Sequence, residues 1–408
     1  MSAKMAGVLD NGAHSLKLGL VGSEETRIVP NAVFKSKSER RRVFVGSELE
    51  ECKDLSGLFF IPPFQKGYLV NWDIQRQVWD HAFGANVMNF DCSATRLLLT
   101  EPLFNFPSIR VTQLEVLVEE YGFPSLAVTT APTLSSHHYS LTRGQPLCCL
   151  VVDAGYSFTH IVPHYHNKVV LEGVRRVFVG GKLLSNHLKE LVSYRQLQVL
   201  DETYVMGQVK EDACFVSLDL YQDMQRAKRR GEDNTTAVEY VLPNFTSTRR
   251  GFIRKNQAGK RDGEEQCLRL GNERFAVPEL LFHPSDIGIQ EMGVAEAICN
   301  AILATPTEMH PHLFSNIVLT GGSANFPNFK ERIQQDVRAL TPAHYTVSVH
   351  VGDSPQLFAL QGGQLVGEQE DCGAWYVSAA ELKEKGAELC IESMEQLHTV
   401  TFLEQKAS

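Results

Sequence analysis

Two short stretches of this chain place an acid and a glycine at the end of an apolar run. "VLDNGAHSLKLG" (residues 8–19) carries Asp10, Gly12 and Lys17, and "LVVDAGYSFTHIV" (150–162) carries Asp153 and Gly155. A third, "VLTGG" (318–322), ends in Gly321 and Gly322 without an acid. Glycine turns at strand ends expose backbone N–H groups that can cradle phosphate oxygens. An Asp at each of two facing turns would hold a divalent cation, usually through water. Lys17 on the returning strand would neutralise phosphate charge, and Gly321-Gly322 would let a flat base or ribose approach the backbone. A lone D-x-G recurs in unrelated chains and reads as a plain hairpin. Three such junctions in order, each after an apolar strand, point to a nucleotide cleft.

The elements that must position these residues alternate between strand-like runs and amphipathic helix patterns, which predicts an α/β architecture. Helical spacing is found over 71–83, with Asn71 as N-cap, over 111–122 and over 180–192. Residues 208–230 read as one longer helix that turns basic at "RAKRR" and closes at Gly231. "CLRLGNERFAV" (267–277) alternates around Gly-Asn and predicts a hairpin. "SNIVLTGGSANFPNF" (315–329) reads as a buried strand entering the glycine pair, followed by a helix. Residues 229–266 are polar and read as a surface insertion with some order. Its part from Ser247 to Arg261 holds six basic residues and no acid. The Asp-Gly motif appears in both halves, which suggests a duplicated α/β half.

Composition bounds the rest. The 408 residues are 43% hydrophobic and 21% charged, with a formal net charge of −9. That balance argues against a surface wholly designed for nucleic acid or anionic membrane and leaves room only for local patches. Nine cysteines without a C-x-x-C spacing argue against a zinc ribbon, and Cys148-Cys149 read as small buried residues on a strand. A reducing compartment is expected, with no signal peptide and no apolar run of membrane-spanning length. His164 and His166 in "HIVPHYH" read as an exposed strand edge rather than a metal site, and His137-His138 as residues preceding a turn. "KSERRR" and "RAKRR" are either solvated faces or import signals and phosphate contacts.

The ordered junctions resemble those of the actin family. So do "VNWDIQRQVW", "LLLTEPLFN", "DAGYSFTHIVP", "VKEDACFVSLD", "NERFAVPELLFHPSDIG" and "NIVLTGGSANFPNF", a likeness that runs from Val8 to about Gly386. The resemblance implies the actin-like ATPase fold, in which two duplicated ribonuclease-H-like α/β halves flank a nucleotide cleft. It implies a first half over 1–150, with a small, shortened outer subdomain near 31–70. The second half would cover 151–386, with the insertion near 229–266, and 387–408 would be a tail. Carried over residue by residue, the resemblance gives Asp10, Gly12 and Lys17 to the first phosphate turn and Asp153 and Gly155 to the second. Lys210 and Glu211 would flank adenine and ribose, Gly321 and Gly322 would form the opposite wall, and His160 would stand near the attacking water. ATP or ADP would bind with Mg, held through water by Asp10 and Asp153.

Departures from the family pattern bear on hydrolysis and on filaments. Ala13 and His14 replace a Ser and a Gly in the first turn, removing a phosphate hydrogen bond of about 0.5–1.5 kcal/mol. His14 is then tolerated only if its ring points away from the phosphates. Tyr156-Ser157-Phe158 replace a smaller Asp-Gly-Val. No Gln stands at Thr130-Ala131-Pro132 to orient water, so little or no hydrolysis is expected. An adenine-flanking Lys corresponds to His344. The loop between Pro30 and Phe44, "NAVFKSKSERRRV", is short and charged where the family's is apolar, which argues against self-polymerisation.

More narrowly, "SGLFFIPPFQKGYLVNWDIQRQVWD" and "NERFAVPELLFHPSDIGIQEMGVAEAI" resemble the nuclear actin-related branch of the family. That resemblance implies a non-catalytic scaffold subunit of a chromatin-remodelling complex that exchanges a nucleosomal core histone for its Z-type variant. Its partners would be the remodeller ATPase subunit, a zinc-HIT-finger protein and nucleosomal DNA or histones met through basic patches. The location would be nuclear, with a cytoplasmic pool. The alternatives are an ATP-hydrolysing enzyme on the fold shared with heat-shock chaperones and sugar kinases, or a filament-forming cytoskeletal protein.

Overall fold

Each Asp-bearing apolar run becomes the central strand of a sheet. The computed structural model describes residues 5–402 apart from 38, 40, 56, 230, 245–247 and 255–264. Met5–Asn11 pairs antiparallel with Ser15–Leu20, which pairs with Thr26–Pro30. On its other side it runs parallel to Thr95–Glu101, with Ser125–Thr130 beyond. Cys148–Ala154 repeats the plan. It is antiparallel to Thr159–Tyr165 and then Lys168–Val170, and parallel to Ile317–Thr320 with Val349–Val351 beyond. The expected duplication is thus a duplication of topology, with six strands in one sheet and seven in the other among the described residues.

Helices cover these sheets with the spacing that the sequence displays. Trp72–Phe83 starts where the Asn71 side chain accepts from the Ile74 N–H at 3.2 Å. It buries Trp79 and Phe83 against Leu97, Leu117 and Phe123. Gly181–Arg195 buries Leu184 and Leu188 on the second sheet with Met206 and Ile298. Ala131–Thr142 and Phe358–Gly367 pack against each other between the halves. A Cβ on Gly362 would lie 2.0 Å from the Leu134 carbonyl oxygen, so only glycine lets these helices approach so closely. Val33–Lys35, Val43–Val45 and Phe59–Ile61 form the outer subdomain over a small core of Phe34, Phe44, Leu49 and Leu58. No described helix is long and apolar enough to cross a membrane.

Several expectations are corrected. Residues 208–230 hold two helices, Thr203–Ala213 and Leu220–Ala227, rather than one. Between them the Phe215 and Val216 N–H groups bond outward to the Arg274 and Pro327 carbonyls, and Asp219 caps a new start. Residues 267–277 are no hairpin. Cys267–Leu270 pairs instead with Val238–Val241, and Glu273, whose carboxylate accepts from the Gly271 N–H at 2.8 Å, opens the helix Glu273–Glu279. His137 and His138 lie inside a helix. His164 is buried, not at an exposed edge, and donates from Nδ1 to the Val162 carbonyl, while His166 occupies a turn at φ 47°. The described cysteines are all free thiols, and Cys148 and Cys149 are buried on their strand.

The chain also returns to its first half where the sequence reading left it in the second. Val377–Ser378 pairs with Ser125–Thr130, and Phe358–Gly367 packs on the first sheet's central strand. Ala387–His398, read as a tail, is a helix that buries Cys390, Ile391 and Met394. The described part of the insertion is docked: Tyr240 is buried with its hydroxyl on Asp212, and Arg250 and Arg254 pair with Asp212 and Glu239. Of the six basic residues between Ser247 and Arg261, Lys255, Lys260 and Arg261 lie outside the described residues, as do Ser38 and Arg40 of "KSERRR" and Arg230 of "RAKRR".

Candidate functional site

The hairpin turns of the two sheets face each other across a cavity of about 720 Å³ between the halves. Asp10, Gly12, Lys17, Asp153, Gly155, Lys210, Glu211, Gly321 and Gly322 all border it. These nine residues come from four separate segments of the chain and meet around one space.

Hairpin register puts Lys17 opposite Asp10, and its Nζ donates to Asp10 Oδ2 at 2.9 Å. Asp10 Oδ1 accepts from the Thr100 hydroxyl at 2.7 Å, and that hydroxyl also accepts from the Asn11 N–H. Asn31 braces the turn by donating to the Gly12 carbonyl at 2.9 Å. A Cβ on Gly12 would stand 2.8 Å from the Ser15 carbonyl oxygen and 3.1 Å from Lys17 Nζ, so the turn needs glycine. Thr100, on a strand, and Asn31, in the bend after Pro30, escaped the sequence reading, because neither position gives a sign of what lies across the fold.

Asp153 faces the cavity, and burial together with the charge of Asp10 raises its carboxyl to about 6. The turn after it is pinned from behind. The Gly181 and Lys182 N–H groups donate to the Gly155 and Tyr156 carbonyls at 3.0 and 2.9 Å. Gly321, at φ 87°, closes the third side; a Cβ there would meet the Ala154 carbonyl oxygen at 2.5 Å and Asp153 Oδ1 at 2.8 Å. Lys210 is buried, with Nζ donating to the Gly181 carbonyl and Ser185 hydroxyl, and burial lowers its pKa.

The residues that would handle an attacking water are engaged elsewhere. His160 Nε2 accepts from Arg176 Nε at 2.9 Å, and burial beside that guanidinium lowers the imidazole to about 3. Its lone pair is taken and it stays neutral at physiological pH. Ala131 and Pro132 border the cavity with no polar side chain, and the Thr130 hydroxyl bonds to Thr133. Arg176 also donates to the Tyr68 hydroxyl and the Leu103 carbonyl, both at 2.5 Å, and lies 4.6 Å from the Phe158 ring centre. One guanidinium so ties the outer subdomain and both halves together, which no local pattern signals.

Two expectations about the cleft need revision. His14 does not turn away from it: its ring borders the cavity and leans on Tyr156, with ring centres 4.7 Å apart. It is exposed to the cleft, and desolvation there, with the charges of Lys210 and Lys17, lowers it to about 4. His344 does not reach the cleft. Its ring lies 4.0 Å from that of Tyr345, which stacks on Phe314, and Pro355 and Gln356 border the cavity instead.

The donors suit a hydrated cation with phosphates. Two carboxylates supply hard oxygen ligands, no group of three metal-binding side chains exists among the described residues, and Asn11 Oδ1 is a buried acceptor without a partner. The family described as Actin matches residues 2–394.

The chain belongs to the actin family.

Its actin-like ATPase fold is the one both sheets display. Among actin-family relatives, Actin-related protein 6 of Drosophila melanogaster is 45% identical over 365 residues, covering 88% of this chain and 92% of that protein. Actin-related protein 6 of Arabidopsis thaliana is 36% identical over 414 residues, covering 94% of this chain and 97% of the relative. Actin-like protein ARP6 of Cryptococcus neoformans is 39% identical over 407 residues, covering 94% and 83%.

Proposed function

We propose that this actin-family chain is a non-catalytic scaffold subunit of a nuclear chromatin-remodelling complex that exchanges a core histone for its Z-type variant. The reading includes ATP or ADP bound with Mg as a structural ligand, with little or no hydrolysis. It is carried by one contrast in the cleft. The carboxylates and glycine turns that suit a cation and phosphates are in place, while His160 has its Nε2 taken by Arg176 and Ala131 and Pro132 bring no polar side chain to the cleft. The names of the relatives, Actin-related protein 6, support the scaffold class.

Within this reading Asp10 and Asp153 would hold the cation through water, and the backbone N–H groups beside Gly12 and Gly155 would take phosphate oxygens. Lys210 and Glu211 would face the nucleoside across from Gly321 and Gly322. The bound group supplies negative charge and a bridge between the halves. Because it would bind the folded chain only, it would add stability by mass action. The remodeller ATPase subunit would act as motor, a zinc-HIT-finger protein would dock on this chain, and basic patches would meet the nucleosome. Arg42, paired with Glu51 and set 4.6 Å over Phe44, keeps the outer loop charged, which disfavours a filament contact.

Affinity purification of the tagged full chain from nuclear extract, read by mass spectrometry, tests the assembly. Remodeller subunits are expected, and their absence overturns the scaffold reading. Phosphate release from Mg-ATP is expected to match that of a cleft variant; turnover well above it makes the protein an enzyme. Robust pelleting in Mg-ATP and salt would make it a filament former.

A further inference from the structure

We infer that the phosphate end of the cleft is built for a nucleoside diphosphate and against a triphosphate, with His14 and Tyr156 as the residues that discriminate. This rests on the nucleotide reading above and sharpens it. A terminal phosphate held by both turns at once would need the space between them. In this chain two rings meet in that space, His14 from the first turn and Tyr156 from the second, 4.7 Å apart at their centres and tilted by 34°. Rings in van der Waals contact leave no gap for a phosphate between them.

The backbone that carries each ring is fixed. The Tyr156 carbonyl accepts from the Lys182 N–H at 2.9 Å, and a Cβ on Gly180 would stand only 2.6 Å from that oxygen. Tyr156 Cδ2 lies 3.5 Å from where a Gly181 Cβ would be, so the helix start behind it leaves little room for retreat. The His14 carbonyl accepts from the Asn31 N–H at 2.9 Å, which anchors the first turn.

Charge points the same way. A triphosphate brings more negative charge to a space that already holds two carboxylates. The nearby cations are committed: Lys17 to Asp10, and Lys210 to the Gly181 carbonyl and Ser185 hydroxyl. His14, lowered to about 4, offers an uncharged ring at neutral pH. The part of the cavity bordered by Glu211, Gly321 and Gly322 would take the nucleoside.

Calorimetric titration of the full chain with Mg-ADP and with a Mg-bound non-hydrolysable ATP analogue reads the preference. The native chain should bind the diphosphate at least about tenfold more tightly, since a triphosphate must displace the ring contact and forgo charged hydrogen bonds. In His14→Gly, and more so in His14→Gly with Tyr156→Ala, the ratio should fall to within about threefold, through tighter binding of the analogue. The single variant restores a small residue in the turn and serves if the double variant does not fold. Equal or tighter binding of the analogue by the native chain overturns the inference, as does an unchanged ratio in a folded variant. Failure of the native chain to bind either nucleotide at millimolar concentration overturns the nucleotide reading itself, and this inference with it.

Discussion

Replacing Asp153 by Asn should stabilise the empty protein while removing its response to Mg-nucleotide. Burial and the charge of Asp10 raise the Asp153 carboxyl from an ordinary 3.8 to about 6. The folded chain therefore holds this proton between about pH 4 and 6, where the unfolded chain has released it. Stability from the group is fully present below about pH 4 and is lost as pH rises through about 6. At pH 7.5 the ionised carboxylate costs the folded state roughly 3 kcal/mol, from about 1.36 kcal/mol per pH unit. A chain of 408 residues, at about 2.1 cal/mol/K per residue, unfolds with an entropy of roughly 0.9 kcal/mol/K. The full effect is then ~3 °C in melting temperature, and about 1–3 °C is expected because the carboxamide is still partly desolvated. Differential scanning calorimetry without nucleotide should show this rise at pH 7.5 and a shrinking difference toward pH 4. Saturating Mg-ADP should raise the melting temperature of the native chain by ~3 °C, from about 2.7 kcal/mol at a hundredfold excess over Kd. The Asp153→Asn protein should show no such rise. A lower melting temperature for the empty variant at pH 7.5 would refute the electrostatic argument, and an undiminished ligand response would refute the role of the carboxylate.

Arg332 holds the buried Glu279 with two hydrogen bonds of 2.8 and 3.0 Å and also donates to the Ser217 carbonyl. Arg332→Ala should cost about 3–5 kcal/mol in urea unfolding by leaving that buried carboxylate with only the His283 imidazole as side-chain partner, and the added change Glu279→Leu should recover part of it. Gly321→Ala should lose about 1–3 kcal/mol from backbone strain alone and abolish the thermal response to Mg-ADP, since the new methyl intrudes on the Asp153 carboxylate. Arg176→Ala should lower stability by on the order of 3 kcal/mol and reduce hydrogen-exchange protection of the Phe64–Gln65 and Tyr68–Leu69 hairpin. Burial holds His164 at about 3 and His398 at about 4, both below the ordinary 6.5. Their contribution is present above about pH 6.5 and is lost as pH falls toward 4, by roughly 3 kcal/mol each, so His164→Asn should flatten the acid limb of a urea-midpoint profile.

The strands and their glycine ends were legible because each rests on local pattern, whereas Lys210 and Glu211 followed only from the family resemblance. An apolar run ending in Asp10-x-Gly12 needs a turn there, and hairpin register alone then sets Lys17 opposite Asp10. The helix over 72–83 followed from spacing and its Asn71 cap, and the one read over 180–192 followed from spacing alone. Periodicity misled where backbone groups found partners outside their own segment. Residues 214–219 break a helical pattern to bond with Arg274 and Pro327, and strand 267–270 takes Val238–Val241 in place of a hairpin mate.

What the sequence determined by itself is the duplicated α/β plan and the acid and glycine turns that border the cleft. Tertiary structure decided how the cleft is used. It brought His14 onto Tyr156 and Arg176 onto His160, Tyr68 and Leu103, and it carried residues 358–398 back to the first half. Those contacts join segments far apart in the chain, so they depend on how two sheets are set against each other. Spacing along a sequence records which face a side chain takes within its own element; it does not record what stands opposite.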